Sequence, residues 1–405
     1  MIHINHLNDK RIKLVVGSMK NETSIKPLKP YDETVLTFIA NLSKKLMKNS
    51  EIRSYPDVAA FAYWCRKSNL NRLSKEFSKK YRRVGRGIIL HIPPSNVPIN
   101  FAFSLIFGLL SGNINILRLP SNDHPQVKLI CDELSNLIYQ DEFKSISRLI
   151  YLIKYTKNTE ITQKLSEKCE GRLIWGGDDT INEIKAMKTK PRCVDLCFAD
   201  RYSICILDAN SLIELSEKGL GRLVSGFYND VFLYDQNACS SPHLILWHGK
   251  EAIIKKAQKI FWSELKNRLL SRFDLPQIHS VEKFTQLCRS AIHLNDMRLK
   301  VLQKDILYRI QLENIPKNIH QYRGKYGFFF EANDTEMANF KAVVDERYQT
   351  VTYFGIPAKE IVDKTIEFGL IGVDRVVPVG RALGMDVYWD GIDLIGALTR
   401  VISTE

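Results

Sequence analysis

The segment Asp235-Gln236-Asn237-Ala238-Cys239-Ser240-Ser241-Pro242-His243 sets one cysteine among small and polar residues. It lies between the aromatic stretch Phe227–Tyr234 and the apolar run Leu244–Trp247. A thiol in such a turn is open to substrate, and the flanking backbone N–H groups can face a developing oxyanion. Those are the requirements of covalent catalysis by cysteine. His243 follows four residues on and suggests a Cys–His pair. The apolar run after it reads as a strand, however, which can turn the ring away from the thiol, so a structural or rim histidine is the stronger reading. Cys197 and Cys205 sit in apolar surroundings and read as core thiols.

Three other segments offer binding chemistry. In His91-Ile92-Pro93-Pro94-Ser95-Asn96-Val97-Pro98 a strand end turns into a helix. Ligands bind at the carboxyl ends of strands in open α/β sheets, and the Asn96 amide there can donate to a substrate oxygen or simply cap the helix. In Gly112-Asn113-Ile114-Asn115-Ile116-Leu117-Arg118-Leu119-Pro120-Ser121, Arg118 ends a strand and can meet a nucleotide phosphate or ribose; an exposed arginine with no ligand fits equally well. Trp175-Gly176-Gly177-Asp178 leads from a strand through two glycines into a helix start, which suits close approach of a phosphate. There is no Gly-x-Gly-x-x-Gly fingerprint, so a standard dinucleotide turn is not supported.

The elements that must carry these residues alternate. Helical spacing marks Glu33–Asn49 and a second helix from Asp57 to about Tyr81. From Gly87 short apolar runs alternate with helical ones: strands at Gly87–Ile92, Ile114–Leu119, Leu149–Ile153, Arg172–Trp175 and Tyr202–Leu207, with helices between them. This is the pattern of parallel βαβ units. After Asp208 come a long helix, the cysteine loop, a strand at Leu244–Trp247 and a helix from Lys250 to about Leu269. A division near Asp208 makes 1–208 an N-terminal helical layer plus cofactor domain and 209–405 the domain of the cysteine. Residues before about 30 read as an irregular arm, and Phe273–Asn318 as charged and helical.

At 405 residues the chain is too long for one ordinary core. The net charge of +13 is spread in short groups such as Lys79-Lys80-Tyr81-Arg82-Arg83, without an arginine-rich tail or a stacking motif. Solvated faces and phosphorylated small ligands account for it better than nucleic acid does. The apolar-rich stretch Ile99–Leu110 is interrupted by Asn100 and Ser104, too short for a membrane span. The N-terminus lacks the pattern of a secretory signal, and eight irregularly spaced cysteines suit a reduced cytoplasmic setting. Cys193 and Cys197 have no second Cys/His pair nearby, so no metal site is expected.

The run Arg83–Ser121 resembles the nucleotide-domain segment of the aldehyde dehydrogenase superfamily. In detail the chain is similar to acyl-CoA reductases of the bacterial luminescence (LuxC) type. That closer match rests on Trp175–Asp178, Asp200–Ser203, Asp235–Pro242, Arg347–Val351, Gly372–Gly380 and Tyr388–Gly391. The resemblance spans about residues 83 to 400. It implies an α/β fold of two domains, each on a mostly parallel open sheet with flanking helices. It implies Cys239 as the nucleophile toward an acyl thioester and Asn96 as an oxyanion donor. It places Arg118 near the cofactor's adenosine ribose, Gly176 and Gly177 near its phosphates and Gln349 near the nicotinamide ribose, with Pro120 and Ser121 also among the cofactor-binding residues. NADPH is the implied cofactor and acyl-CoA the implied substrate. A partner acyl-protein synthetase and a homo-oligomer are implied as well. The glutamate that activates water in hydrolytic relatives has no counterpart in Phe198-Ala199-Asp200-Arg201-Tyr202-Ser203, so an acyl thioester on Cys239 should outlive hydrolysis. The rivals are an aldehyde-oxidising dehydrogenase of the same fold and a non-catalytic binder of nucleic acid or other anions.

Overall fold

The computed structural model describes residues 9–18, 25–77, 80–95, 97–272, 276–294, 297–302 and 306–403. It divides into two units, residues 1–199 with 392–405, and residues 200–391.

The first unit holds β1 (Lys13–Val16), β2 (Arg82–Gly85), β3 (Ile88–Ile92), β4 (Ile114–Arg118), β5 (Ile150–Lys154), β6 (Gly171–Trp175) and β7 (Val194–Phe198). Six of these make one sheet in the order β1-β5-β4-β3-β6-β7, parallel except for the β1–β5 pair. β3 and β6 are buried along their whole length, as strands covered on both faces must be. The helix Asn100–Leu110 is buried all round, so its apolar run fills a core. Behind it His91 lies between Ser104 Oγ at 2.8 Å and Asn115 Oδ1 at 3.0 Å. Gly108 permits this: a Cβ there would sit 1.8 Å from Asn115 Oδ1. Burial lowers His91 to about 4, so the ring is neutral and its role is structural. β2 pairs antiparallel with the returning segment Thr399–Ile402. Arg86 donates to Ala397 O and Asn113 to Leu398 O, fastening that segment down.

The second unit holds β8 (Tyr202–Asp208), β9 (Pro242–His248), β10 (Arg298–Leu302), β11 (Leu307–Gln311), β12 (Phe328–Asn333), β13 (Tyr348–Phe354) and β14 (Arg375–Pro378). Their order is β10-β11-β12-β9-β8-β13-β14, again parallel except at one edge, β10–β11. Apolar clusters cover both faces.

Several expectations are corrected. The division falls at 199/200 because Tyr202–Asp208 pairs between β9 and β13, and residues 392–405 return to the first unit. The early arm contains an edge strand, β1. The helix expected from Asp57 to Tyr81 is two, Pro56–Trp64 and Lys67–Glu76. Arg66 breaks it, extended in backbone, with its Nε on Tyr63 O at 2.9 Å, a basic side chain closing a helix end. Phe273–Asn318 is not wholly helical: it supplies β10 and β11 after the helix Gln277–His293. Arg309 lent β11 its charged look, yet it is buried and forked onto Glu331 at 2.6 and 3.0 Å. Glu331, fully buried, also accepts from the indoles of Trp247 and Trp262 at 2.8 Å each.

Candidate active site

The cysteine loop is built from its own side chains. Asp235 and Gln236 take positive φ, 51° and 61°, turning the chain sharply out of the helix Glu217–Phe232. Gln236 is buried and uses its whole amide. Its Nε2 donates to Pro242 O and Phe328 O, and its Oε1 accepts from the backbone N–H groups of Gly327 and Phe328, all at 3.0–3.1 Å. The loop is thereby tied to the starts of β9 and β12. Ser241 Oγ donates to Asp230 O at 2.7 Å, and Ser203 Oγ, on β8, donates to the carbonyl of Cys239 at 2.7 Å. Cys239 is thus held from both sides on a fixed turn, half-buried. Its backbone N–H has no protein acceptor among the described residues.

The thiol meets Gln349. That residue's Nε2 lies 3.4 Å from Cys239 Sγ and 2.6 Å from Asp390 Oδ1, while its Oε1 accepts from Thr350 Oγ1 at 3.2 Å. Both amide hydrogens are therefore committed within the second unit, to the thiol and to a carboxylate. Asp390 has a positive φ of 47° and precedes Gly391 at 71°. Burial raises its carboxyl to about 6. Burial first, and the Asp390 charge second, push the Cys239 thiol up to about 11. Beside Asp390, the Trp389 ring lies 4.4 Å beneath the Arg375 guanidinium, which donates to Ala382 O and Gly384 O. The Trp389-Asp390-Gly391 turn belongs to the segment Tyr388–Gly391 that carries part of the family resemblance. Trp389 packs, but Asp390 reaches the thiol's own partner. No local signal marked it, because its meaning depends on Gln349, far away in the chain.

His243 does not join the thiol. Its ring stacks on Tyr202 with centroids 5.4 Å apart, and burial first and the Arg323 charge second lower it to about 3. Asn96 lies outside the described residues.

The remaining expected site residues belong to the first unit and follow the carboxyl ends of its central strands, which form one rim of the sheet. Arg118 ends β4, followed by Pro120 and Ser121, and Gly176-Gly177 follows β6; β3 runs between those strands. The Arg118 guanidinium lies over the Tyr155 ring at 4.7 Å and makes no ion pair among the described residues. A Cβ at Gly177 would meet nothing within 4 Å, so that backbone is open to approach. The helix it starts carries Asp178 and Asp179 in its first turn, which already complement the helix dipole there and disfavour a phosphate at that end. Trp175 Nε1, buried at the same rim, lacks a partner. A planar, polar cofactor fits this rim through the Arg118–Tyr155 stack and the open Gly177 backbone better than through the helix terminus. Among the described residues no group of three or more His, Cys, Asp or Glu is placed to hold a metal, and no helix is long and apolar enough to cross a membrane.

Two mostly parallel sheets, with a thiol-bearing turn leading into β9 of the second, make up an aldehyde-dehydrogenase-like fold. Solved structures agree on the fold. A putative aldehyde dehydrogenase from Burkholderia cenocepacia superposes with a TM-score of 0.58 at 12% identity, over 92% of this chain and 84% of that one. An NAD-dependent benzaldehyde dehydrogenase from Corynebacterium glutamicum gives 0.62 at 10% identity, over 97% and 94%. The chain belongs to the acyl-CoA reductase (LuxC) family, whose sequence model matches residues 10–401. It is 27% identical over 199 residues to the long-chain acyl-protein thioester reductase of Vibrio harveyi, covering 48% of this chain and 37% of that protein. It is 23% identical over 291 residues to the protein of the same name from Photorhabdus luminescens, covering 63% and 58%. The matches thus span between about a third and three-fifths of those relatives.

Proposed function

We propose that this chain reduces a long-chain acyl thioester to the aldehyde through an acyl-Cys239 intermediate, with NADPH as reductant. The observation that carries the reading is the Cys239–Gln349–Asp390 arrangement on a loop fixed by Gln236 and Ser203. Family membership supports it, and the names of the relatives point to long-chain acyl groups on a protein carrier.

The chain's own part in the reaction follows from the geometry. With its thiol raised to about 11, Cys239 is almost wholly protonated at neutral pH, and a stray electrophile finds little thiolate. In the reaction Sγ attacks the acyl carbon of the incoming thioester, a tetrahedral oxyanion forms, and the donor's sulfur leaves with a proton. One thioester replaces another, so the exchange is nearly balanced. The free backbone N–H of Cys239 and the Asn96 amide are the donors assigned to the oxyanion. Gln349 orients the sulfur, and Asp390 orients Gln349. Arg118, Pro120, Ser121, Gly176 and Gly177 would hold NADPH, which would supply the hydride that takes the acyl group to the aldehyde level. The thiolate released with the aldehyde then takes a proton from solvent. Hydrolysis is disfavoured because both carboxylates near the thiol are engaged, Asp200 by its ion pair with Arg323 and Asp390 by the Gln349 amide. An acyl-protein synthetase is the proposed donor partner, beside acyl-CoA itself, and the working form is proposed to be a homo-oligomer.

Intact-mass spectrometry after incubation with acyl-CoA tests this. The expected result is an acyl adduct on the wild type, absent in Cys239→Ala and discharged with aldehyde release by NADPH. An adduct that persists in Cys239→Ala would overturn the choice of nucleophile.

A further inference from the structure

The helix Gln277–His293 of the second unit is amphipathic in the reverse of the usual sense. Its inward face is largely polar: Lys283 Nζ donates to the carbonyls of Ile306 and Tyr326 at 2.8 and 2.9 Å, and Gln286 Nε2 donates to Tyr322 O at 2.7 Å. Ser290 is fully buried with its hydroxyl on Gln286 O, and Leu287 joins the apolar core below. Those contacts fix the rotation of the helix and leave its apolar residues outside. Ile278, Val281, Phe284 and Ile292 are 62%, 59%, 57% and 76% exposed. A surface helix ordinarily turns such residues to the core, and a run of them on the outside marks a contact face.

The spacing is that of a helix pair. Ile278, Val281, Thr285, Cys288 and Ile292 recur at alternate steps of three and four, a heptad seam along the whole helix. Its two polar members fit: the Thr285 hydroxyl donates back to Val281 O at 2.9 Å, and Cys288 is an exposed thiol. Phe284 and Ala291 flank the seam on one side, Glu282 and Arg289 on the other. We propose that two copies of this chain pair through this helix, antiparallel about a two-fold axis at Thr285. This supplies an interface for the homo-oligomer proposed above and does not depend on the reaction. The second copy is the occupant because the stripe complements itself. About that axis Ile278 meets the partner's Ile292, Val281 meets the partner's Cys288, and Phe284 meets its own counterpart. Glu282 meets the partner's Arg289 and Arg289 the partner's Glu282, so the charged flank is neutralised twice. A parallel pair instead sets Glu282 beside the partner's Gln277 and Arg289 beside the partner's Phe284. Glu282 also lies against the Tyr326 hydroxyl, and a carboxylate accepts from more than one donor. A chain of net charge +13 repels its own copies; on this face the charges cancel.

Analytical ultracentrifugation of the full chain at micromolar concentration tests the pairing. Wild type should sediment at twice the chain mass or a multiple of that, and Ile292→Glu should halve the mass while keeping the folded circular-dichroism spectrum. Glu282→Arg or Arg289→Glu alone should raise the dissociation constant about tenfold, and the two exchanges together should restore it. Disulfide trapping reads the register. In a Cys288→Ser background, Thr285→Cys should cross-link two copies under mild oxidation by copper phenanthroline, with the bond mapped by peptide mass spectrometry. Ile278→Cys in the same background should not cross-link to itself. A wild type of single-chain mass overturns the proposal and leaves the stripe to a different protein. An unchanged mass in Ile292→Glu, no restoration by the double exchange, or cross-linking through position 278 rather than 285 overturns it as well. The acyl-Cys239 adduct is read separately, so its absence from a paired chain strikes the proposed reaction, whereas an intact adduct on a single chain strikes this interface alone.

Discussion

A thiol pushed up to about 11 near a carboxylate raised to about 6 is an unusual pairing for a proposed nucleophile, and it has measurable consequences. Alkylation of the Cys239 peptide by iodoacetamide should be slow at pH 7 and climb toward a midpoint near 11, as followed by peptide mass spectrometry. Asp390→Asn removes the negative charge that opposes the thiolate, so that midpoint should move down. An unchanged midpoint would mean the carboxylate does not act on the sulfur. Asp390→Ala, which leaves the Gln349 amide without its 2.6 Å acceptor, should lower kcat for thioester reduction by about tenfold or more with little change in KM, the mark of a positioning residue. At this scale the sequence was informative where chemistry is contiguous. The nine residues from Asp235 contain both the thiol and, in Gln236, the anchor of its own loop. It was uninformative where chemistry is assembled: Asp390 matters only because β13 brings Gln349 between it and the sulfur.

Among the elements, the helix Glu217–Phe232 is fastened to the loop after β14 through Asp230. Its carboxylate accepts from the backbone N–H groups of Gly380 and Ala382, at 2.6 and 2.9 Å. Burial raises it to about 7, above an ordinary carboxyl near 4. Between those values the folded chain keeps a proton that the unfolded chain has released. The contribution of this carboxyl to stability therefore falls as pH rises from about 4 to about 7, opposite in sign to that of the buried neutral His91 and His243. Asp230→Asn should remove it, so the stability of wild type minus that of the variant should fall from pH 4 to pH 7, as urea titrations at pH 4, 5.5 and 7 would show. Removing Arg309 should be costly in another way. Arg309→Ala strands the fully buried Glu331 and should destabilise by about 3–5 kcal/mol, readable in the same titrations. Adding Glu331→Gln should recover part of the loss, since the indole donors of Trp247 and Trp262 keep an acceptor. That buried pair is also why β11 was read as part of a charged helical region. Charge in a strand signals exposure only when nothing across the sheet neutralises it, and the neutralising Glu331 is on β12. Strands β3, β4, β5, β6, β8 and β9 were legible because each is a mostly apolar run between turn residues, whereas β7, Val194–Phe198, with Asp195 inside it, was not expected.

For the molecule as a whole, the first unit is completed by the last stretch of chain. A protein ending at Gly391 would lose the strand that pairs with β2 and the carbonyls of Ala397 and Leu398 that hold Arg86 and Asn113. It should melt at a lower temperature, with the loss in the first unit: hydrogen exchange should rise in β2 and at Asn113 while the β8–β9 amides stay protected. The order of manufacture gives this arrangement a further meaning. A ribosome adding roughly 5–20 residues per second needs on the order of 10–40 s to make the second unit after the first unit's main body has emerged. Through that interval β2 waits with one edge open, and the first unit, proposed to bind the reductant, is finished only after the thiol-bearing second unit has been made. A nascent chain would own Cys239 before its first unit is complete, and once the second unit has folded around the thiol, burial would keep it protonated in the meantime.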